Sequence, residues 1–200
     1  WAQKYKDDYD GPLFDWPAYR KVEESEQAVD HVRNRYAALV SMCDHQLGKV
    51  LDMFDEHDLW KDTMLIVNTD HGFLLGEHNW WAKAVQHCYN EIAHTPMFIH
   101  DPRNPVKPSD AASSKRRNGL CQMIDMAQTL LSFFGVDIPG DMQGKDLEPM
   151  IAEDIALRES ILFGFHGSEI NWTDGKNLLM RAPENKDIPL YNYTLMPSHM

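Results

Sequence analysis

Four apolar residues in succession, Met64-Leu65-Ile66-Val67, run directly into Asn68-Thr69-Asp70-His71-Gly72, with Glu77, His78 and Lys83 close behind. A short apolar run rich in branched side chains reads as a strand buried on both faces of a parallel sheet. A second run, "TPMFIH" from Thr95 to His100, is closed by "DPRNP". The stretch between them, Asp70 to His94, is too long for an ordinary connection and is expected to be a functional loop with a short helix. Upstream, Val29, Val32, Tyr36, Val40, Cys43, Leu47, Val50, Leu51 and Phe54 recur mostly every three or four residues. That spacing predicts one long helix from Glu24 to about Glu56, with Gly48 available for close approach of another backbone. Helix followed by buried strand, twice interrupted by loop, points to an α/β fold.

The rest of the chain is read more coarsely. The first twenty residues, rich in aromatics, Asp and Pro, form an irregular lead-in. Val106 to Gly119 is polar and turn-rich, hence a surface loop. "IDMAQTLLSFFG" predicts a helix with Asp125 as N-cap, Gln128 completing a capping box and Gly135 as the stop. A turn-rich bridge, "VDIPGDMQGKDLEPMI", leads into another short helix. "SILFGFHGSEINWTDGKNLLMRA" reads as two strands joined at "TDG".

Charge and cysteine usage exclude several classes of function. The chain carries 19 basic against 31 acidic residues, a formal charge of −12, which argues against nucleic acid or an anionic membrane as the main partner. Cys43, Cys88 and Cys121 are scattered and form no CxxC pair, so neither a disulfide framework nor a zinc cluster is indicated. A reducing, cytoplasmic setting is the expectation, with an N-terminal targeting signal left open. No apolar run approaches the roughly 18 residues of a membrane span.

In α/β sheets, ligands gather beyond the carboxyl ends of the strands, where Asp70 and His71 fall. Gly72 lets the backbone turn so that both could face one cation. A hard oxygen and an imidazole suit Mn²⁺ or Zn²⁺, or Ca²⁺ if further oxygens complete the shell. The same spacing equally suits Asp70 as a cap of the turn and His71 as a hydrogen-bonded loop residue. Lys83 beside a cation would be repelled unless an anion lay between them, which points to a bound sulfuryl or phosphoryl group. Trp80 and Trp81 would hold the loop rigid. His87, His94 and His100 are read as structural, and the cluster Asp7, Asp8 and Asp10 as a solvated segment. No GxSxG, Walker A, GxGxxG or HExxH pattern is present.

Taken together, these residues resemble the sulfatases of the alkaline phosphatase superfamily. The resemblance is carried by "YAALVSMCDHQLGKVL" (Tyr36 to Leu51), Asp70-His71-Gly72, "LGEH" (Leu75 to His78), Lys83 with Glu91 and "PMFI", then "DMAQTLLSFFG" and "MQGKDL", in the family's order from about Tyr36 to Met150. Gln128 stands where the family usually has Pro. The resemblance implies an alkaline-phosphatase-like sheet flanked by helices, incomplete in this chain. Residues 1–157 would be the C-terminal part of the catalytic domain, and 158–200 the strand-rich start of a smaller region. It further implies that Asp70 and His71 ligate a divalent cation, Ca²⁺ or Mn²⁺, and that Lys83 binds the sulfate. Lys83 and His78 are then the catalytic candidates, His78 as a supporting or substrate-facing group. The family's nucleophile, a Cys or Ser in C/S-x-P-x-R converted to formylglycine, has no counterpart in "CDHQL", "CYNEI" or "CQMID". The expected partners are therefore a sulfated small molecule or carbohydrate and a missing N-terminal half. A phosphonate monoester or phosphodiester hydrolase is the alternative, and a non-catalytic binding module is a third reading.

Overall fold

The computed structural model describes residues 1–12, 20–83, 85–105, 116–165 and 167–184. Most of the expected polar loop at 106–119, and everything beyond 184, lie outside them. Among the described residues no helix is long and apolar enough to cross a membrane.

The long helix forms as its periodicity predicts. It runs as α1 from Glu26 to Glu56, with the Ser25 side chain accepting from the Ala28 amide. Ser25 is a favourable N-cap because its oxygen satisfies one of the four amides that a helix start leaves unpaired. At the other end, Phe54 is buried and packs on Trp60, ring centroids 4.8 Å apart. Trp60 in turn meets the edge of His100, whose Nε2 donates to the Trp60 carbonyl at 2.9 Å. His100 is thus structural, as expected, and fastens the end of α1 to a strand. Only Ala28, Ala38 and Phe54 are buried along α1. Gly48, expected to admit another backbone, faces open space.

Strand β1 (Leu65–Asn68) is followed by β2 (Leu74–Leu75), β3 (Trp81–Ala82), the single-turn helix α2 (Asn90–Ala93) and β4 (Met97–His100). β1 and β4 pair antiparallel, Leu65 opposite His100 and Asn68 opposite Met97. This corrects the parallel pairing read from the apolar runs. A parallel return needs a crossover element, usually a helix, whereas here the intervening chain is spent on the β2–β3 hairpin and one helical turn. Burial differs as well. Phe98 is 68% exposed, so the strand is not covered on both faces.

Downstream, α3 (Asp125–Phe133) and α4 (Glu148–Glu153) precede the antiparallel meander β5 (Ile161–Gly164), β6 (Ile170–Thr173) and β7 (Leu178–Arg181). The last segment therefore holds three strands rather than two. "TDG" does form the β6–β7 turn: Asp174 Oδ1 accepts from the amides of Lys176 and Asn177 at 2.9 and 2.7 Å, and Gly175 adopts φ +86°. The β5–β6 connection carries no Asn-Gly or Asp-Gly signal, which is why it was not legible.

The capping box expected at α3 is not formed. Asp125 lies inside the first turn, fully buried, and accepts from Arg158 Nη1 and Nη2 at 2.5 and 2.6 Å and from the Gln122 and Lys145 amides at 2.7 and 2.8 Å. Gln128, with its amide oriented to satisfy both partners, donates to the Ile124 carbonyl at 2.6 Å and accepts from the Gly144 amide at 2.8 Å. The helix ends as predicted, at Gly135 in the left-handed region with φ +66°.

Candidate functional site

The segment from Asp70 to Lys83 is built as a turn followed by a hairpin, and each part is fastened by a different neighbour. The Gly72 amide donates to the Ile92 carbonyl at 2.8 Å. A Cβ on Gly72 would lie 1.8 Å from the Glu91 carbonyl oxygen, so only glycine fits this approach. Next, Arg33 Nε on α1 donates to the Leu75 carbonyl at 2.9 Å, and Gly76, at φ +100°, sits against Val29. The chain before α1 then lines β3. The Trp81 amide donates to the Arg20 carbonyl at 3.0 Å and the Val22 amide to Asn79 at 3.0 Å. Trp81 is fully buried and its Nε1 donates to Glu24 Oε2 at 2.7 Å. Burial pushes Glu24 up, but this bond and further ones from backbone amides outweigh it and hold the carboxyl below its ordinary range. Trp81 thus fixes the strand that leads into Lys83.

Three of the four residues singled out in the sequence converge. His71 Nδ1 faces the Gly72 carbonyl at 2.9 Å. A carbonyl can only accept, so Nδ1 carries the proton and Nε2 keeps its lone pair. That bare Nε2 lies 3.2 Å from Asp70 Oδ2 and also receives Lys83 Nζ. Asp70 Oδ1 is anchored by the His71 amide at 2.9 Å. Desolvation works against ionisation of Asp70, but the adjacent His71 ring, the nearby amides and the Lys83 ammonium prevail and lower its pKa. The carboxylate is 81% exposed. The arrangement is an anionic oxygen and a bare imidazole nitrogen side by side on an open surface, with an ammonium within reach of both. Such a donor pair fits a divalent cation. Among the described residues, no group of three or more His, Cys, Asp or Glu side chains is placed to hold one.

His78 is not brought to these three. Its Nε2 lies 3.2 and 3.1 Å from the two carboxylate oxygens of Glu91, and its ring stacks on Tyr89 with centroids 3.9 Å apart. His87 is held by Glu169 Oε1 at 3.2 Å, which also accepts from the Cys88 amide at 3.1 Å. Cys88 itself is buried beside Leu74 and Ile92, and burial followed by the charge of Glu169 pushes its thiol up to about 11. That places it far from thiolate reactivity at neutral pH. The Asp7 cluster is partly structural, since Asp7 accepts from Asn34 at 3.0 Å and pairs with His31 at 2.8 Å. The supports supplied by Glu24, Arg33 and Glu169 had no signal in the sequence, because each joins residues far apart in the chain; Glu91 stood in the resemblance, but its bond to His78 was not legible there.

Comparison with known proteins places the chain in a family. The family model described as Sulfatase matches residues 4–136, which include the whole candidate loop. The chain belongs to the sulfatase family. These hydrolases fall in the alkaline phosphatase superfamily, in line with the resemblance drawn above. An arylsulfatase from Clostridium perfringens is 29% identical over 142 residues, covering 71% of this chain and 28% of the relative. An N-acetylglucosamine-6-O-sulfatase from Bacteroides thetaiotaomicron is 31% identical over 119 residues, covering 60% of this chain and 20% of the relative. This sulfatase-family chain thus spans between a fifth and a third of the length of those relatives. Among solved structures, a phosphonate monoester hydrolase from Silicibacter pomeroyi superposes with TM-score 0.68 at 21% identity, covering 80% of this chain and 34% of that one. The shared fold is alkaline-phosphatase-like.

Proposed function

We propose that this chain carries part of the active site of a sulfuric ester hydrolase, and that the nucleophile and further cation ligands lie in an upstream half of the same protein. The observation that carries this reading is the convergence of Asp70, His71 and Lys83 on one open spot in a sulfatase-family chain. Asp70 Oδ2 and His71 Nε2 would hold a divalent cation, Ca²⁺ or Mn²⁺. When bound, the cation would supply Lewis-acid polarisation of the ester's sulfuryl oxygens. The Gly72 carbonyl contributes by fixing the His71 tautomer that leaves Nε2 free to ligate. With His71 Nε2 given to the cation, the Lys83 ammonium would be free to face the sulfuryl oxygens and would offset the charge developing there. The buried Trp81 limits how far Lys83 can wander. Cys88 is unsuited to attack on sulfur, because it is buried and its thiol stays protonated. The sulfatase names of the relatives support a sulfated small molecule or carbohydrate as substrate.

The test is made in the full-length protein. Sulfate-ester turnover should exceed phosphodiester and phosphonate monoester turnover. Lys83→Ala should lower the rate about 10²- to 10³-fold with little change in stability, and Asp70→Ala should reduce bound metal in elemental analysis. An unchanged rate in Lys83→Ala would reduce that residue to a surface lysine. Preference for the phosphorus substrates would favour the phosphonate monoester or phosphodiester reading, and no turnover of any substrate would favour a binding module.

A further inference from the structure

We infer that Glu91 is a positioning residue for the candidate cation site, acting through both its main chain and its side chain; the inference rests on the reading of Asp70 and His71 given above. The main chain around it is the tertiary support of the Asp70-His71-Gly72 turn. Its carbonyl packs against the bare face of Gly72, and the next carbonyl, Ile92, accepts the Gly72 amide at 2.8 Å. Its carboxylate grips His78 Nε2 at 3.1 and 3.2 Å. Tyr89, at the start of the same helical turn, stacks on the His78 ring.

Two facts make the side chain matter. Helix α2 is a single turn, Asn90–Ala93, and a single turn has no stability of its own in water. Its position is set by what it touches, namely Ile92 in the core and the Glu91–His78 and Tyr89–His78 contacts at the surface. His78 in turn adopts φ +54°, a left-handed backbone that costs a non-glycine residue free energy unless its surroundings hold it. The pair therefore braces the turn that presents Asp70 and His71 against the 3-10 turn Glu77–Asn79 that precedes β3 and Lys83. Without the carboxylate, α2 loses its ion pair to the loop and keeps Ile92, Ala93 and the Tyr89–His78 stack, so the acceptor of the Gly72 amide is less firmly held.

The experiment compares Glu91→Ala, Glu91→Gln and His78→Ala in the full-length protein. It reads Mn²⁺ affinity by titration calorimetry and amide hydrogen exchange at Gly72. Glu91→Ala should weaken Mn²⁺ binding about tenfold, the lower end for residues that orient a ligand from behind, and speed Gly72 exchange, while β5–β7 stay protected. Glu91→Gln, whose amide oxygen still accepts from His78, should restore most of the affinity. His78→Ala should match Glu91→Ala, and the double variant should be no worse than either, as for residues acting as one unit. Faster exchange with unchanged Mn²⁺ affinity would leave Glu91 merely structural and overturn the inference, as would unchanged exchange. If the unsubstituted protein binds no Mn²⁺, the metal reading fails, and the exchange data alone decide whether Glu91 braces the turn.

Discussion

Gly72 is the position in the candidate loop where any side chain would strike main chain, with a Cβ only 1.8 Å from the Glu91 carbonyl oxygen. Gly72→Ala should therefore push α2 and the turn apart and weaken the amide bond to Ile92. Overpacking against groups that cannot give typically costs about 1–3 kcal/mol, so thermal unfolding should shift down, and Mn²⁺ affinity in the full-length protein should fall with it. Stability and affinity both unchanged would mean that the turn is not held by this contact. Asp7 makes a different kind of prediction. Hydrogen bonds from Asn34 and then His31 lower its pKa from 3.8 to about 2. Because the folded value lies below the ordinary one, the carboxylate stabilises the docked lead-in fully above about 3.8, and that contribution is lost as pH falls through about 2. An NMR titration following Tyr9, which stacks on His31 with centroids 4.3 Å apart, should report release in that window. Asn34→Ala should raise the midpoint.

At the scale of elements, Asp125 and Arg158 join α3 to the stretch before β5. Asp125 is wholly buried and Arg158 largely so. Arg158→Met would leave a buried carboxylate with two backbone donors and no counter-charge, and breaking such a pair costs about 3–5 kcal/mol. Asp125→Asn should be milder in the Arg158→Met background than in the parent sequence, since the charge it removes is then unpaired. Denaturant melts of the four variants test this coupling. The same helix marks the limit of what the sequence alone could tell. Periodicity located α1, and local end signals located α3 and its stop at Gly135, because those signals lie within a few residues of one another. Branched apolar runs located β1 and β4 but suggested a parallel pairing that the structure overturns, since direction depends on what the intervening chain is spent on. Asp125 looked like a cap because an acid before an apolar run usually is one; its real partner is far along the chain. Asp70, His71 and Lys83 were legible as a group, being close in sequence and unusual in chemistry. Glu24 and Arg33 were not, and Glu91 was legible only as part of the resemblance.

For the whole molecule, surface decides. Among the described residues, part of the exposed surface is apolar and clustered. Tyr36, Leu39, Val40, Val50 and Met53 stand exposed along α1, Leu39 at 56%. On the meander, Leu162, Ile170 and Leu179 share one face at 58, 60 and 62%. Exposed faces of this kind mark interaction surfaces or association liabilities; the chain spans 28% of one relative and 20% of another, and the proposed upstream half would cover them. The isolated chain should therefore self-associate in sedimentation velocity at micromolar concentration. Leu39→Asp with Val50→Asp should reduce that association while leaving the melting of the isolated chain nearly unchanged, because exposed positions contribute little to its own core. The isolated chain should also hydrolyse no sulfate ester. Asp70 and His71 alone leave a cation most of its water, and none of the three cysteines stands in the C/S-x-P-x-R setting of a formylglycine nucleophile. Mixing with a separately produced upstream half bearing that nucleophile should restore turnover, and the same Leu39→Asp, Val50→Asp chain should restore less. A monodisperse chain that turns over sulfate ester unaided would sink the divided-site proposal. Restoration unaffected by the α1 substitutions would move the contact surface to the meander.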